Sequence, residues 1–231
     1  MNKSYNKDYY ISNKQNRDRL GLLFYLNLLK NNFNISKHLD LGCGVGFLLK
    51  KIENTKKNEV VYGLEINDYA IKEAKKNTNK SIVRNNINEI DEKFTSISLL
   101  HIVEHIDDYS LSLLFKKIVS RLEKKGRILI ATPCKNGLAH KLKKKNWIAY
   151  NDATHINLKT DFEWKEFFKR NKFKIIKEGN DGLWDFPYNS YIYSIKFIKI
   201  YFIMVIQILF GKLYLKSKNG ETYICILEID D

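Results

Sequence analysis

In the stretch HLDLGCGVGFLLKKI, residues 38–52, Asp40 stands two positions before glycines set at alternate places, Gly42, Gly44 and Gly46. Glycine is needed where the backbone takes a positive φ or must approach a ligand without a Cβ in the way. A G-x-G-x-G turn behind an apolar run therefore offers free N–H groups to a polar ligand. The acid beside it would repel a pyrophosphate and attract a cation. A second acid, Glu65, ends the run VVYGLEIN, where a carboxylate can accept both hydroxyls of a ribose. Dinucleotide-binding turns use such an acid too, but space their glycines G-x-G-x-x-G, and here Phe47 fills the third glycine's place. Further along stand Glu104-His105 and His155. An imidazole near its ordinary pKa of about 6.5 can take a proton from a hydroxyl at neutral pH, whereas Glu104 suits an organising role through hydrogen bonds.

These residues need elements to hold them. Short apolar runs predict strands near 36–41, 59–64, 81–84, 96–101, 127–132, 172–179 and 221–229, with helices near 46–54, 68–78, 108–123 and 160–171. Strands alternating with helical segments argue for crossover units and a parallel sheet. Leu20, Leu23, Phe24, Leu26, Leu28, Leu29 and Phe33 follow helical spacing, so a helix is expected over 16–33. Residues 191–215 are rich in aromatics and isoleucine but broken by Lys196, Lys199 and Lys212. A spanning helix needs about 20 mostly apolar residues, so this insert is read as a helix that caps the sheet, pairs with a second subunit, or rests on a membrane surface.

The spelling LDLGCGVG resembles the first motif of the class I S-adenosylmethionine-dependent methyltransferases. FTSISLLHIVEHIDD, residues 94–108, is similar along its length to the fourth-strand region of the ubiquinone-biosynthesis-like small-molecule members, with Glu104-His105 falling where theirs does. The resemblance implies an α/β, Rossmann-like, doubly wound sheet of seven mostly parallel strands with an antiparallel last strand. It divides the chain into an N-terminal helical segment, 1–34, and a methyltransferase domain, 35–231, with a lid-like loop near 135–160 and an apolar helical insert near 187–217. It implies S-adenosyl-L-methionine as cofactor, bound by Asp40, Gly42, Cys43, Gly44, Gly46, Glu65, Ile66, Asn86, Ile87, Leu100 and His101. Asn86 stands where the family often has an aspartate for the adenine amino group, and Thr95 replaces an acid after Phe94; both are departures. Ligands of α/β sheets bind beyond the carboxyl ends of the strands, which puts His105 near the transferred methyl as the candidate base. Trp147, Tyr150 and His155 are the candidate substrate contacts, and no metal is expected.

A formal charge of +14 fits an anionic partner, although lysine is spread along the whole chain, and the cluster at 141 and 143–145 reads equally as a phosphate site or a solvated face. Cys43, Cys134 and Cys225 form no C-x-x-C pair, so neither a disulfide framework nor a zinc site is indicated, and a cytoplasmic enzyme, peripheral to a membrane if the insert binds lipid, is expected. The polar opening residues carry no secretion signal. The expected reaction is methylation of a small-molecule acceptor, on an oxygen of a sugar, nucleotide-linked sugar or other phosphorylated metabolite, by a monomer or homodimer. An RNA or DNA methyltransferase and a non-catalytic cofactor-binding or membrane-associated protein are the alternatives.

Overall fold

The computed structural model describes residues 7–12, 15–185, 188 and 197–230. Its strands are β1 (Lys37–Leu41), β2 (Val60–Leu64), β3 (Ile82–Arg84), β4 (Phe94–Leu100), β5 (Leu122–Pro133), β6 (Phe173–Asn180) and β7 (Thr222–Ile229). They form one sheet in the order β3-β2-β1-β4-β5-β7-β6. All pairs from β3 to β5 are parallel, and β7 runs antiparallel to both β5 and β6. The sheet expected from the sequence is thus present, antiparallel last strand included.

Eight helices are described: α1 (Lys7–Ser12), α2 (Leu20–Asn32), α3 (Phe47–Glu53), α4 (Asp68–Asn77), α5 (Asp108–Arg121), α6 (Leu138–Lys143), α7 (Asp161–Arg170) and α8 (Ile198–Phe210). Their starts follow capping chemistry. Asn67 accepts from Ala70 N–H, Asp107 from Ser110 N–H, and Thr160 with Glu163 forms a reciprocal capping box. One face of the sheet packs Leu39, Ile97 and Leu99 against Phe115 of α5 and Trp164 and Phe168 of α7; the other packs Leu129, Ala131 and Ile224 against α2 and α3. The polypeptide thereby buries both faces, as a mostly parallel sheet requires.

Three expectations need adjustment. β4 ends at Leu100, because His101 takes a φ of 58° that a strand cannot continue. β5 begins at Leu122, so the sequence expectation near 127 misses its first five residues, where Lys124 and Lys125 are exposed. Of the insert expected over 187–217, residues 187 and 189–196 lie outside the described residues, and the rest contains α8, seated on α2 by Asn27 Nδ2–H donating to Ile208 O at 2.7 Å.

Candidate active site

The glycine turn joins β1 to α3, and its geometry explains its spelling. Gly42, Gly44 and Gly46 have φ of 78°, 54° and 84°, all in the left-handed region. A Cβ on Gly42 would lie 2.0 Å from Ile102 Cδ1, and one on Gly46 would press on Ala74 at 3.0 Å, so those two serve packing. Gly44 differs. Its Cβ would meet only Tyr10 Cε1, at 3.9 Å, so the backbone there faces open space.

Glu65 is tied to this turn. Its Oε2 accepts Gly44 N–H at 2.9 Å and its Oε1 accepts Ile66 N–H at 2.8 Å and Asn67 N–H at 3.0 Å. Two carboxylate oxygens offer about four acceptor sites, so one remains on the side of Oε2. Burial raises the Glu65 pKa, with the three N–H groups pulling against it.

Asp40 sits on β1 directly opposite Ser98 of β4, and His38 opposite Ser96. His38 Nδ1 lies 2.8 Å from Ser96 Oγ, its Nε2 lies 3.0 Å from Ser98 Oγ, and Ser98 Oγ donates to Asp40 Oδ1 at 2.6 Å. Burial pushes His38 down to about 3, so it is neutral, and pushes Asp40 up to about 6. With Ser98 donating to Asp40, the consistent polarity runs from Ser96 O–H to His38 Nδ1 and from His38 Nε2–H to Ser98. His38 and Ser98 belong to no motif, and only the register of β1 against β4 brings them together.

The other expected cofactor residues divide. Leu100 and His101 close the end of β4, and Ile66, 71% exposed, follows Glu65. Ile87 is buried in the core, Cys43 packs its sulfur toward Gly63, and the exposed Asn86 spends its side-chain oxygen on Asn88 N–H at 3.0 Å.

Beyond β4, Glu104 is fully buried on a 3-10 turn, Val103–His105; Thr132 Oγ1 donates to its Oε2 at 3.1 Å, and His101 Nδ1 stands 3.5 Å from its Oε1. Burial pushes the Glu104 pKa up, but His101 and His105 outweigh it and hold the carboxyl below the usual range. The rings of His105 and His155 lie 4.6 Å apart. Burial lowers the His105 pKa, with Glu104 pulling the other way. The segment carrying His155 is fixed to β4's end by Asn157 N–H donating to Glu104 O at 2.9 Å.

That segment closes a loop whose base is tied by Lys135 N–H donating to Lys159 O at 2.9 Å. Trp147, an expected substrate contact, is 1% exposed and packs with Ala139, Leu183 and Tyr188, so it holds the loop together. Tyr150 is exposed, its hydroxyl 3.0 Å from His140 Nε2. Lys143 of the lysine cluster is engaged with Asp185 at 2.9 Å. Helix α1 bridges this loop and the glycine turn, with Tyr10 beside Gly44 and Tyr9 O–H donating to Asp152 Oδ2 at 2.9 Å. Two further acids, in no motif, stand at the ends of β6 and β7. Asp181 lies within 3.4 Å of Tyr25 OH and is pushed up to about 6 by burial; Glu221 accepts Trp184 N–H and Asp185 N–H and is pushed up to about 8, again by burial first.

A family model described as a methyltransferase domain matches residues 12–178. No curated protein sequence matches the chain. Among solved structures, an S-adenosylmethionine-dependent methyltransferase from Clostridium acetobutylicum is similar, with a TM-score of 0.63, 13% identity and 97% of each chain covered. The plantazolicin methyltransferase BamL, solved with a desmethylPZN analog and SAH, gives 0.62 and 16% over 97% of this chain and 89% of that one. The small RNA methyltransferase HEN1 gives 0.62 and 14% over 100% of this chain and 26% of that one. With the family model spanning most of its length and the strand order and glycine turn in agreement, the chain belongs to the methyltransferase-domain family, as an S-adenosyl-L-methionine-dependent methyltransferase.

Proposed function

We propose that this enzyme methylates an oxygen of a small hydroxylated molecule, in a cleft between the glycine turn, the 135–159 loop and α1. The observation that carries the cofactor half is the open face of Gly44 beside an anchored Glu65 carboxylate with acceptor capacity left over. Asp40 supplies negative charge for the ammonium and sulfonium of the methionine half, and Glu65 takes the ribose. Bound there, S-adenosyl-L-methionine supplies an electrophilic methyl group. The residues around it hold donor and acceptor within about 3–3.5 Å and in line. The acceptor oxygen's proton passes to a base as the new O–C bond forms and the C–S bond breaks with its electron pair on sulfur.

His105 suits the base. Its Nδ1 lies 2.9 Å from Thr154 Oγ1 and 3.2 Å from Thr154 O, and donation to that carbonyl leaves the basic lone pair on Nε2. His155 and Tyr150 are the acceptor contacts in this reading. Phosphorylated and nucleotide-linked sugars are the first acceptors to try, because the chain carries a charge of +14. The same charge and the RNA enzyme among its structural neighbours support a second reading, with an RNA hydroxyl as acceptor. The test is release of S-adenosylhomocysteine from panels of hydroxylated metabolites and of short RNAs. Turnover with a metabolite and none with RNA is expected; turnover with RNA alone overturns the small-molecule assignment.

A further inference from the structure

Among the described residues, Glu104, His105 and His155 bring a carboxylate oxygen and two ring nitrogens within 4.8 Å of one another. The residues reach this arrangement from separate parts of the chain. Glu104 and His105 come from the 3-10 turn after β4, and His155 from the 135–159 loop, held in place by Asn157 N–H on Glu104 O and Asn157 Nδ2–H on Ile106 O at 2.7 Å.

Each ligand has the support that metal sites use. His105 Nδ1 is 3.2 Å from Thr154 O, and His155 Nδ1 is 2.7 Å from Ala149 O. A ring nitrogen facing a carbonyl must carry the hydrogen, which fixes both lone pairs on Nε2. The Glu104 carboxylate is fixed at its other oxygen by Thr132. A second observation points to a cation: Glu104 Oε1, on a side chain 0% exposed, has no hydrogen-bond partner among the described residues, His101 Nδ1 at 3.5 Å being its nearest ionic contact. A buried carboxylate oxygen left so costs free energy that a bound cation removes.

We propose that Glu104, His105 and His155 form a two-histidine, one-carboxylate site for a divalent transition metal ion, with open positions that take the oxygen of the methyl acceptor. Zn²⁺, Co²⁺, Mn²⁺ and Fe²⁺ all suit imidazole with carboxylate, and three protein ligands leave room for a water or substrate oxygen. Ligands at about 2.0–2.2 Å from one ion stand at most about 4.4 Å apart, so the three atoms close by a few tenths of an ångström on binding. The assignment of a substrate oxygen to the open positions rests on the methyltransferase reading above, and the ion then takes over from His105 the activation of the hydroxyl, since both roles use one lone pair. The spacing of these residues in the sequence hid the site, because the half-hundred positions between His105 and His155 match no metal motif.

The test uses the full chain without an affinity tag, stripped with a chelator and titrated calorimetrically with Zn²⁺ and with Co²⁺, beside a separate titration with S-adenosylmethionine. One equivalent of metal per chain is expected, with visible ligand-field absorption for Co²⁺. His105→Ala and His155→Asn are each expected to weaken metal binding at least tenfold while the thermal melt stays cooperative, and His140→Ala, outside the cluster, to leave it unchanged. Absence of stoichiometric binding, or equal loss in all three variants, overturns the site. Metal binding that persists where S-adenosylmethionine fails to bind keeps the ion and removes its role on a methyl acceptor.

Discussion

At the scale of single residues, Asp40 is the group whose state matters most. Its carboxyl is pushed from 3.8 to about 6 by burial, so ionising it costs the folded protein stability, and that cost grows as pH rises from about 4 through 6 and is then constant. A cationic ligand reverses the balance by pairing with the ionised form. S-Adenosylmethionine should therefore bind about tenfold more weakly at pH 5 than at pH 7, and the Asp40→Asn protein should bind weakly with little change over that range. Calorimetry at the two pH values reads both. Glu65 makes a separate prediction. Glu65→Ala removes the acceptor of three backbone N–H groups and should weaken cofactor binding by at least tenfold, about 1.4 kcal/mol or more. Asp40, Glu65 and the glycines could be picked out as candidates in the sequence because their motif is local. His38 and Ser98 could not, since a strand register must bring them together before they mean anything.

At the scale of elements, the glycine turn and α8 carry opposite lessons. Gly42→Ala sets a Cβ 2.0 Å from Ile102 in a left-handed backbone and should cost about 3 kcal/mol; Gly44→Ala meets no side chain closely and should cost about 1 kcal/mol, while obstructing the cofactor. Denaturant unfolding of the two variants separates packing from binding. The apolar composition of 191–215 gave little hint of what seats α8. Gln207, 1% exposed, donates to Asn180 O at 3.0 Å and accepts Tyr214 N–H at 2.7 Å and Leu215 N–H at 2.9 Å, so this single amide joins α8 to β6 and the chain before β7. Gln207→Ala should destabilise the protein by about 2–4 kcal/mol, by leaving those buried groups unpaired. The opposite face exposes Ile198, Phe202, Val205 and Leu209, one helical stripe. No described helix is long and apolar enough to cross a membrane.

At the scale of the whole molecule, the fold was legible because strand and helix alternate and each apolar run is short; seven runs gave seven strands, with the largest errors at the two ends of β4 and at the start of β5. Some acids were not legible. Asp181, just after β6, and Glu221, just before β7, stand in no motif; the first gains its meaning where it meets Tyr25 of α2, the second where it accepts Trp184 N–H and Asp185 N–H. The Trp147 expectation missed for the same reason, because burial inside a loop is a property of the folded chain. Ligand binding to the folded state alone should stabilise this assembly by about 2.7 kcal/mol at a hundredfold excess over Kd, raising the melting midpoint by roughly 5–11 °C in a thermal scan with S-adenosylmethionine.

The most direct measurement is calorimetric titration of the wild-type chain and of Glu65→Ala with S-adenosylmethionine, beside a nicotinamide dinucleotide. Saturable binding of one S-adenosylmethionine per chain, lost in the variant, with no binding of the dinucleotide, is the predicted result. Tighter binding of the dinucleotide, or S-adenosylmethionine binding untouched by the loss of Glu65, would contradict the cradle built from Gly44, Asp40 and Glu65.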